Sequence, residues 1–318
     1  MRSFAYSVLV VMGFSLLFSC KSHRYRVLYV NSYHCGYPPS DEVMEALKSN
    51  LPADSFDVKI RLLNSKRQSS NDSIMANTDS VLKMIRDFQP DLLAISDDNA
   101  MKYLVEPYAD QFKIPVVFCG INWSAGQYRF SKSQVTGMLE VLPLKTAIVT
   151  LKEIYPQSKT LAVISENSLS EKNNTALLDT LYRNAGLLPE YYLVDSFAGW
   201  KKAFSEASAK CDLIYLPTNG AIKGWNDEEA KKFVLAGIAK PVFTCDEFMM
   251  PYAVVGFTKI AVEQGQWVAQ TIKQIAGGKQ VIQIPQTRNV KSKFLINHRL
   301  AEKIGFRSDN KCFEMQKY

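Results

Sequence analysis

The sequence lacks the features that mark nucleic-acid-binding, disulfide-rich and membrane-spanning proteins. Its 318 residues include only three histidines and six cysteines, and these are scattered, so neither a metal centre nor a disulfide scaffold is expected. The 38 lysines and arginines exceed the 31 acidic residues by seven but form no basic block, which argues against a nucleic-acid partner. No apolar run reaches the roughly 20 residues that a membrane-spanning helix needs.

Motifs of common catalytic and nucleotide-binding sites are also missing. No Gly-x-Gly-x-x-Gly or Walker loop follows the first predicted strand, and no Gly-x-Ser-x-Gly elbow occurs. The adjacent residues Asp97 and Asp98 suggest acid–base chemistry, but neighbours at a helix start point in different directions, so capping is the expected role. The sequence therefore predicts a protein that has no cofactor and is not an enzyme. A hydrolase using Asp97 or Glu140 stays as an alternative, which turnover of a bound compound would support.

The N-terminal residues have the pattern of a secretion signal. Arg2 precedes an apolar stretch at residues 4–18, and Leu17-Phe18-Ser19-Cys20 follows. This ending resembles a bacterial lipobox. We therefore expect a signal peptide at residues 1–19, a lipidated Cys20, and a short periplasmic tether at residues 20–24. An ordinary cleaved signal peptide with an incidental cysteine is the alternative.

The remaining sequence alternates between short apolar strands and amphipathic helices. Strands are predicted at residues 25–33, 56–64, 91–96, 114–121, 160–165, 191–194, 212–217, 240–244 and 253–257. Helices are predicted at residues 40–51, 71–88, 97–111, 143–155, 170–185, 198–209 and 261–276, with another beginning at Asn226. The alternation is typical of parallel sheets covered by helices on both faces.

A repeated pattern of strands and helices indicates that the chain has two similar halves. A strand, a helix and an Ile/Lys-Pro-Val strand occur at residues 91–118 and recur at residues 212–243. We expect an α/β fold with two doubly wound parallel-sheet lobes and a cleft between them. The lobes would be residues 25–140 and 141–257, and residues 258–318 would form a crossover helix and a segment that returns across both lobes.

Several segments together resemble a known family. They are VLYVNSYHCGYPPSDEVMEAL (27–47), DLLAISDDNAMKYLVEPY (91–108), IPVVFCGIN (114–122), VTGMLE (135–140) and FLINHRLAEKIGF (294–306). The chain is similar to the substrate-binding proteins of ABC transporters, in the branch that includes tryptophan- and tyrosine-uptake-like proteins. That resemblance implies the type I periplasmic binding fold. Cys35 and Trp123 depart from the family's usual residues, so no ligand is transferred.

Ligands of such sheets bind beyond the carboxyl ends of the strands. This rule selects residues that follow predicted strands. From the first lobe they are Ser32, Tyr33, Asp97, Asp98, Asn99, Asn122, Trp123, Thr136 and Gly137. From the second lobe they are Ser165, Glu166, Asn167, Asn219 and Asp246. The alternative roles are helix capping for the polar residues, a backbone turn for Gly137, and loop packing for Tyr33 and Trp123.

Acidic residues gather at the same strand ends and connections. They are Asp41, Glu42, Asp97, Asp98, Glu140, Glu166, Asp246 and Glu247. Helix N-termini would ordinarily favour a ligand carboxylate, but acids already occupy several of those first turns. We therefore predict a ligand with an amine or another cationic group, held by a carboxylate and an aromatic face. The alternative is that these acids cap helices and face solvent.

These observations together predict a monomeric solute-binding lipoprotein of the bacterial periplasm. It would capture a small molecule, such as an amino acid or amine, between its lobes and deliver it to an ABC permease in the membrane. The alternative is a ligand sensor that presents its closed state to a sensor kinase or receptor. Disulfides among Cys35, Cys119 and Cys245 stay open, because a sequence does not give distances.

Overall fold

The computed structural model describes residues 24–68, 70–306 and the short strand 316–317. The predicted signal peptide, Cys20 and most of the tether lie outside the described residues. The described chain forms two α/β lobes, each built on a parallel-dominated sheet with helices packed against it. The fold class predicted from the sequence is confirmed. Among these residues, no helix combines the length and apolarity needed to cross a membrane.

The first lobe holds a six-stranded sheet in the order β11-β5-β4-β3-β1-β2, in which all neighbours are parallel. Its strands are β1 (Tyr25–Asn31), β2 (Phe56–Leu62), β3 (Leu92–Ser96), β4 (Val116–Asn122), β5 (Val135–Glu140) and β11 (Thr287–Arg288). Strands β3 and β4 are buried along their whole length, which explains their uninterrupted apolar sequences. Its helices are α1 (Pro38–Ser49), α2 (Asn71–Phe88), α3 (Asp97–Ala100), α4 (Glu106–Tyr108) and α9 (Val262–Ala276).

The second lobe holds a seven-stranded sheet in the order β13-β12-β10-β9-β8-β6-β7. Its strands are β6 (Thr160–Glu166), β7 (Leu188–Val194), β8 (Leu213–Tyr215), β9 (Val242–Thr244), β10 (Val255–Lys259), β12 (Ser292–Ile296) and β13 (Gln316–Lys317). Strand β12 runs antiparallel to β10, and the other neighbours are parallel. Its helices are α5 (Leu144–Ile154), α6 (Leu169–Asn184), α7 (Phe197–Lys210), α8 (Asp227–Gly237) and α10 (His298–Ile304).

The described chain passes between the lobes at three places. These are residues 141–143 after β5, residues 260–261 after β10, and residues 289–291 after β11. After the second passage, α9 returns to the first lobe and packs against α1. The two helices approach closely at Gly265, where an added Cβ would lie 2.2 Å from the Val43 carbonyl oxygen. The three neighbouring passages form the hinge between the lobes.

Two differences from the sequence prediction affect the elements around the interlobe cleft. The helix predicted at residues 97–111 is split into α3, a π-turn at Met101–Val105, and α4. Glu106 N–H donates to the Met101 carbonyl, five residues back, and the following Pro107 has no N–H with which to continue the ladder. Strand β10 runs two residues further than predicted and ends at Lys259, so the residue at its carboxyl end is a lysine.

Candidate ligand-binding site

A cavity of about 40 Å³ lies between the lobes, where the carboxyl ends of both sheets face each other. One buried water needs about 10–15 Å³, so the closed cleft has room for about three water molecules. Its lining comprises Tyr33, Tyr37, Pro39, Ser40, Val43, Lys66, Ser96, Asp97, Cys119, Gly120, Asn122, Glu140, Leu142, Ser170, Glu171, Asn174, Pro217, Thr218, Asp246, Lys259, Ala261 and Gln264.

The structure brings four of the sequence-predicted site residues to this cavity: Tyr33, Asp97, Asn122 and Asp246. Asp97 directly follows β3 and Asn122 ends β4. Tyr33 comes two residues after β1, and Asp246 two residues after β9. These four residues therefore lie at the carboxyl ends of strands, where the strand-end rule expects ligand-binding residues.

Asp97 presents its carboxylate to the cavity. Its backbone has φ = 69°, in the left-handed region that side-chain-bearing residues seldom adopt. A Cβ at Gly120 would lie 2.8 Å from Asp97 Oδ1, so a glycine is needed beside it. Burial raises the pKa of Asp97 well above its usual value, and Glu140 and Asp98 add to the rise. Within the described part of the chain, the carboxylate accepts no hydrogen bond.

Three other predicted residues near β1 and β3 turn away from the cavity. Asp98 accepts hydrogen bonds from Asn122 (2.6 Å) and Tyr128 (2.7 Å). Asn99 donates to Ser65 Oγ (2.8 Å). Ser32 donates to the Ser96 carbonyl (2.5 Å) and accepts from Ala100 N–H. These hydrogen bonds hold the start of α3 against β4 and the ends of β1 and β2, so the three residues support Asp97 rather than line the cleft.

Thr136 and Gly137 lie inside β5, four and three residues before its end. Thr136 donates to the Ile284 carbonyl (2.7 Å). Gly137 packs against the Phe118 ring, where an added Cβ would lie 2.3 Å from the ring. Their expected place at the strand end is taken by Glu140, which lines the cavity. The sequence placed the site too early, because polar Thr136 lies within a buried strand.

The other four predicted residues of the second lobe divide into two pairs. Ser165 donates to Glu171 Oε2 (2.7 Å), and Glu166 forms a buried ion pair with Lys66 of the first lobe. Asn167 and Asn219 instead line an open groove of about 820 Å³ on the outer side of Lys66. The groove and the cavity share Tyr37 and Lys66 in their linings, so these two side chains form the wall between them.

Lys66 and Tyr37 are the site residues that the sequence reasoning missed on the groove side. Lys66 lies in the turn after β2, and its side chain is only 2% exposed. Its Nζ lies 4.6 Å from the ring centroids of both Tyr33 and Tyr37. The Tyr37 hydroxyl donates to Thr218 Oγ1 of the other lobe (3.4 Å). Two features of the sequence could have pointed to these residues: Lys66 follows a predicted strand, and Tyr37 precedes the two prolines that begin α1.

A second group of charges lies at the hinge. Lys259 Nζ contacts Glu140 Oε1 (2.6 Å) and Asp246 Oδ1 (3.0 Å). Gln264 donates to the other Glu140 oxygen (2.8 Å). The two carboxylates outweigh the cost of burial and raise the pKa of Lys259, so this lysine is charged. We call Lys259, Glu140 and Asp246 the hinge cluster.

Glu171 is another missed residue and belongs to a network that joins the lobes. Asn174 donates to Glu171 Oε1 (2.9 Å) and accepts from the Trp123 indole of the first lobe (3.2 Å). Burial, and then the nearby Glu166, raises the pKa of Glu171 to about 7. Trp123, predicted as a cleft residue, therefore closes the lobe interface through Asn174.

Carboxylates outnumber cations around the cavity. Asp97, Glu140, Glu171 and Asp246 face two lysines, Lys66 and Lys259. Residues 24–68 and 70–306 contain no group of histidine, cysteine and carboxylate side chains arranged to hold a metal ion. The four described cysteines Cys35, Cys119, Cys211 and Cys245 are free. The lining of the cleft is therefore rich in acidic and hydrogen-bonding side chains.

Comparison with solved structures shows the same fold. A conserved domain protein from Vibrio cholerae has a TM-score of 0.74 at 16% identity, covering 93% of this chain and 100% of that one. An ABC domain from Streptococcus pneumoniae in complex with L-Trp has a TM-score of 0.69 at 15% identity, with 89% and 95% covered. A ligand-free, open substrate-binding protein with adhesive properties from Clostridium difficile has a TM-score of 0.65 at 15% identity, with 92% and 99% covered.

Sequence comparison gives the family. No curated protein sequence matches the chain. The profile of the family described as ABC transporter substrate binding protein matches residues 38–314. Members of this family are non-enzymatic, extracytoplasmic proteins that bind small molecules and deliver them to ABC permeases. The chain, with its two lobes and polar cleft, belongs to the ABC transporter substrate-binding protein family.

Proposed function

We propose that this protein is a periplasmic lipoprotein, anchored through Cys20, whose cleft captures a small ligand that carries an ammonium group. An amino acid or an amine satisfies this description. The observation that carries the proposal is the Asp97 carboxylate, which faces the cavity and accepts no hydrogen bond from the described residues. An ammonium ion supplies both the charge and the donors that such a carboxylate favours.

The surroundings of Asp97 support a cation over an anion. The cavity has more carboxylates than lysines, and both lysines are already paired with carboxylates. Helix α1 begins with Pro38 and Pro39, which have no N–H to offer a ligand carboxylate. A bound cation would offset the repulsion among the buried carboxylates, which an anion would increase.

Capture requires the lobes to separate. The cavity of about 40 Å³ is smaller than an amino acid, and interlobe bonds enclose it. Tyr33 Oη lies 2.9 Å from Ser170 Oγ, and Trp123 bonds Asn174. The ligand would enter an open form and stabilise a more closed one through contacts with both lobes.

The test is thermal unfolding of the purified full-length chain against amino acids, amines, nucleosides and sugars. A ligand at 100 times its dissociation constant adds about 2.7 kcal/mol of stability, which raises the Tm by several degrees. We expect hits among amines or amino acids. Asp97→Asn should abolish them, and Asp87→Asn, an exposed change on α2, should retain them. Hits confined to neutral sugars would contradict the cationic ligand.

The lipid anchor has a separate test. Expression in a bacterium that processes lipoproteins should place the protein in the membrane fraction, with a mass spectrum showing acylated Cys20 as the first residue. Cys20→Ser should release the protein into the soluble periplasmic fraction. Recovery of an unacylated wild-type protein from the soluble fraction would overturn the anchor while leaving ligand capture untouched.

A further inference from the structure

Lys66 extends a charged side chain into the cleft, and the turn in which it lies determines its position. Asn64, two residues before it, adopts φ = 55°, and this turn carries the lysine back over the end of the sheet. The adjacent Ser65 fixes the turn, because its hydroxyl donates to the Ser32 carbonyl (2.7 Å) and accepts from Asn99 (2.8 Å). The resulting position leaves the Lys66 side chain 2% exposed.

The groups around the Lys66 ammonium are those that bind free ammonium ions. Its Nζ lies 4.6 Å from the centroids of both tyrosine rings, and those rings meet edge to face at 5.2 Å and 82°. The Glu166 carboxylate pairs with it, and Thr218 Oγ1 lies 3.5 Å away. Two aromatic faces with a buried carboxylate form a cation-binding cage. We call Tyr33, Tyr37 and Glu166 the tyrosine cage.

The tyrosine cage exists only when the lobes are closed. Its rings come from the first lobe and its carboxylate from the second. Glu166 is fixed there by a hydrogen bond from Ala221 N–H to its second oxygen (2.6 Å). Gly220 allows the approach, because an added Cβ would lie 2.7 Å from Tyr37 Cε2 and 3.1 Å from Lys66 Cδ. Filling the cage with a cation therefore favours closure.

We propose that Lys66 acts as a built-in ligand of the tyrosine cage, and that the cage binds a primary alkylammonium ion when the Lys66 side chain is removed. This inference deepens the proposed function and rests on it for the nature of the natural ligand. The lysine ammonium holds the lobes together before capture, and a ligand ammonium that enters the cage displaces it. The cage is a second cation subsite of the cleft, beside Asp97.

The experiment tests whether a small amine in solution can replace the side-chain atoms that a truncated Lys66 lacks. Lys66→Ala removes Cγ, Cδ, Cε and Nζ, which n-propylammonium reproduces. Thermal unfolding of the full-length variant is followed against n-propylammonium chloride at constant ionic strength, with 1-propanol as the uncharged equivalent. We expect a saturable rise in Tm of at least about 2 °C, corresponding to a modest site occupancy, with the amine and none with the alcohol.

The matched controls are the wild type and Lys66→Met, which keeps most of the side-chain volume without the charge. Both should respond less than Lys66→Ala, because the cage is filled. An equal response of all three proteins, or no difference between amine and alcohol with Lys66→Ala, would overturn the proposal. If Lys66→Ala does not fold alone, refolding yields in n-propylammonium and 1-propanol are compared, and equal yields overturn it.

The two proposals fail separately. If no amine or amino acid stabilises the wild type but n-propylammonium stabilises Lys66→Ala, the tyrosine cage stands and the proposed ligand class falls. If amines stabilise the wild type through Asp97 but Lys66→Ala shows no rescue, the built-in ligand falls and amine capture stands.

Discussion

The cleft contains two buried charge clusters of equal composition and different arrangement. In the hinge cluster, Lys259 contacts both carboxylates, Glu140 at 2.6 Å and Asp246 at 3.0 Å. On the groove side, Lys66 pairs with Glu166 alone, and the second carboxylate, Glu171, bonds Ser165 and Asn174 instead. Each cluster has one lysine and two acids, but only the hinge lysine reaches both.

The difference follows from how each cluster is connected to the hinge. Glu140 and Lys259 each precede a passage of the chain between the lobes, so lobe motion separates them little. Lys66 and Glu166 are 100 residues apart in sequence and meet only across the closed cleft. The hinge cluster is therefore a permanent part of the fold, whereas the groove-side pair forms and breaks with closure.

The largest expected effect is on global stability when the hinge lysine is removed. Lys259→Met leaves Glu140 and Asp246 buried without a cation, which costs about 3–5 kcal/mol of unfolding free energy. Lys66→Met should cost less, because Glu166 becomes hydrated when the lobes open. Urea unfolding of both variants at pH 7 makes the measurement, and equal losses would erase the distinction between the clusters.

The next effect is the pH dependence that Glu171 gives the groove side. Its pKa is raised to about 7, so its protonated form favours the folded state. This contribution is complete below the pKa of an unfolded glutamate and is lost as the pH rises through 7, a change of about 3 kcal/mol. Glu171→Gln should remove it.

The measurement is the Tm of wild type and Glu171→Gln between pH 4 and pH 8. The wild type should lose more stability over this range than the variant. Parallel curves would show that the pKa of Glu171 is the same in the folded and unfolded states, which would contradict the prediction.

The smallest effect concerns closure alone. Gly220→Ala places a methyl group against Tyr37 and the Lys66 stem, and such overpacking costs about 1–3 kcal/mol. The cost applies only to the closed form, so the variant should be more open, with a larger radius of gyration in small-angle X-ray scattering. Gly237→Ala has no atom within 4 Å of its Cβ and serves as the control. An unchanged radius for both would place Gly220 outside the closure contacts.

Much of the fold was predictable from the sequence, because buried parallel strands have short, continuous apolar sequences. DLLAIS and IPVVFCGI match β3 and β4 to within two residues at either end. The same pattern placed Tyr33, Asp97, Asn122 and Asp246 at the cleft. These residues follow clear strand ends, so the local sequence contains the information about their position.

The groove-side residues were harder to predict, because tertiary contacts decide their position. A lysine is normally exposed to solvent. Lys66 is buried only because two tyrosines and Glu166 surround it. Glu171 lies in the first turn of α6, where an acid is normally a capping residue. Lys259 was missed because β10 continues through Thr258. A polar residue at this position suggested that the strand had already ended.

The hydrogen bond between Trp123 and Asn174 has a spectroscopic consequence. The chain has four tryptophans. Trp200 and Trp225 meet edge to face within the aromatic core of the second lobe, and Trp267 packs on the core of the first lobe. Trp123 alone among them donates its indole N–H across the interface. Separation of the lobes would break this hydrogen bond and expose that indole to water, so a change in the tryptophan emission of the native protein would report opening without an added dye.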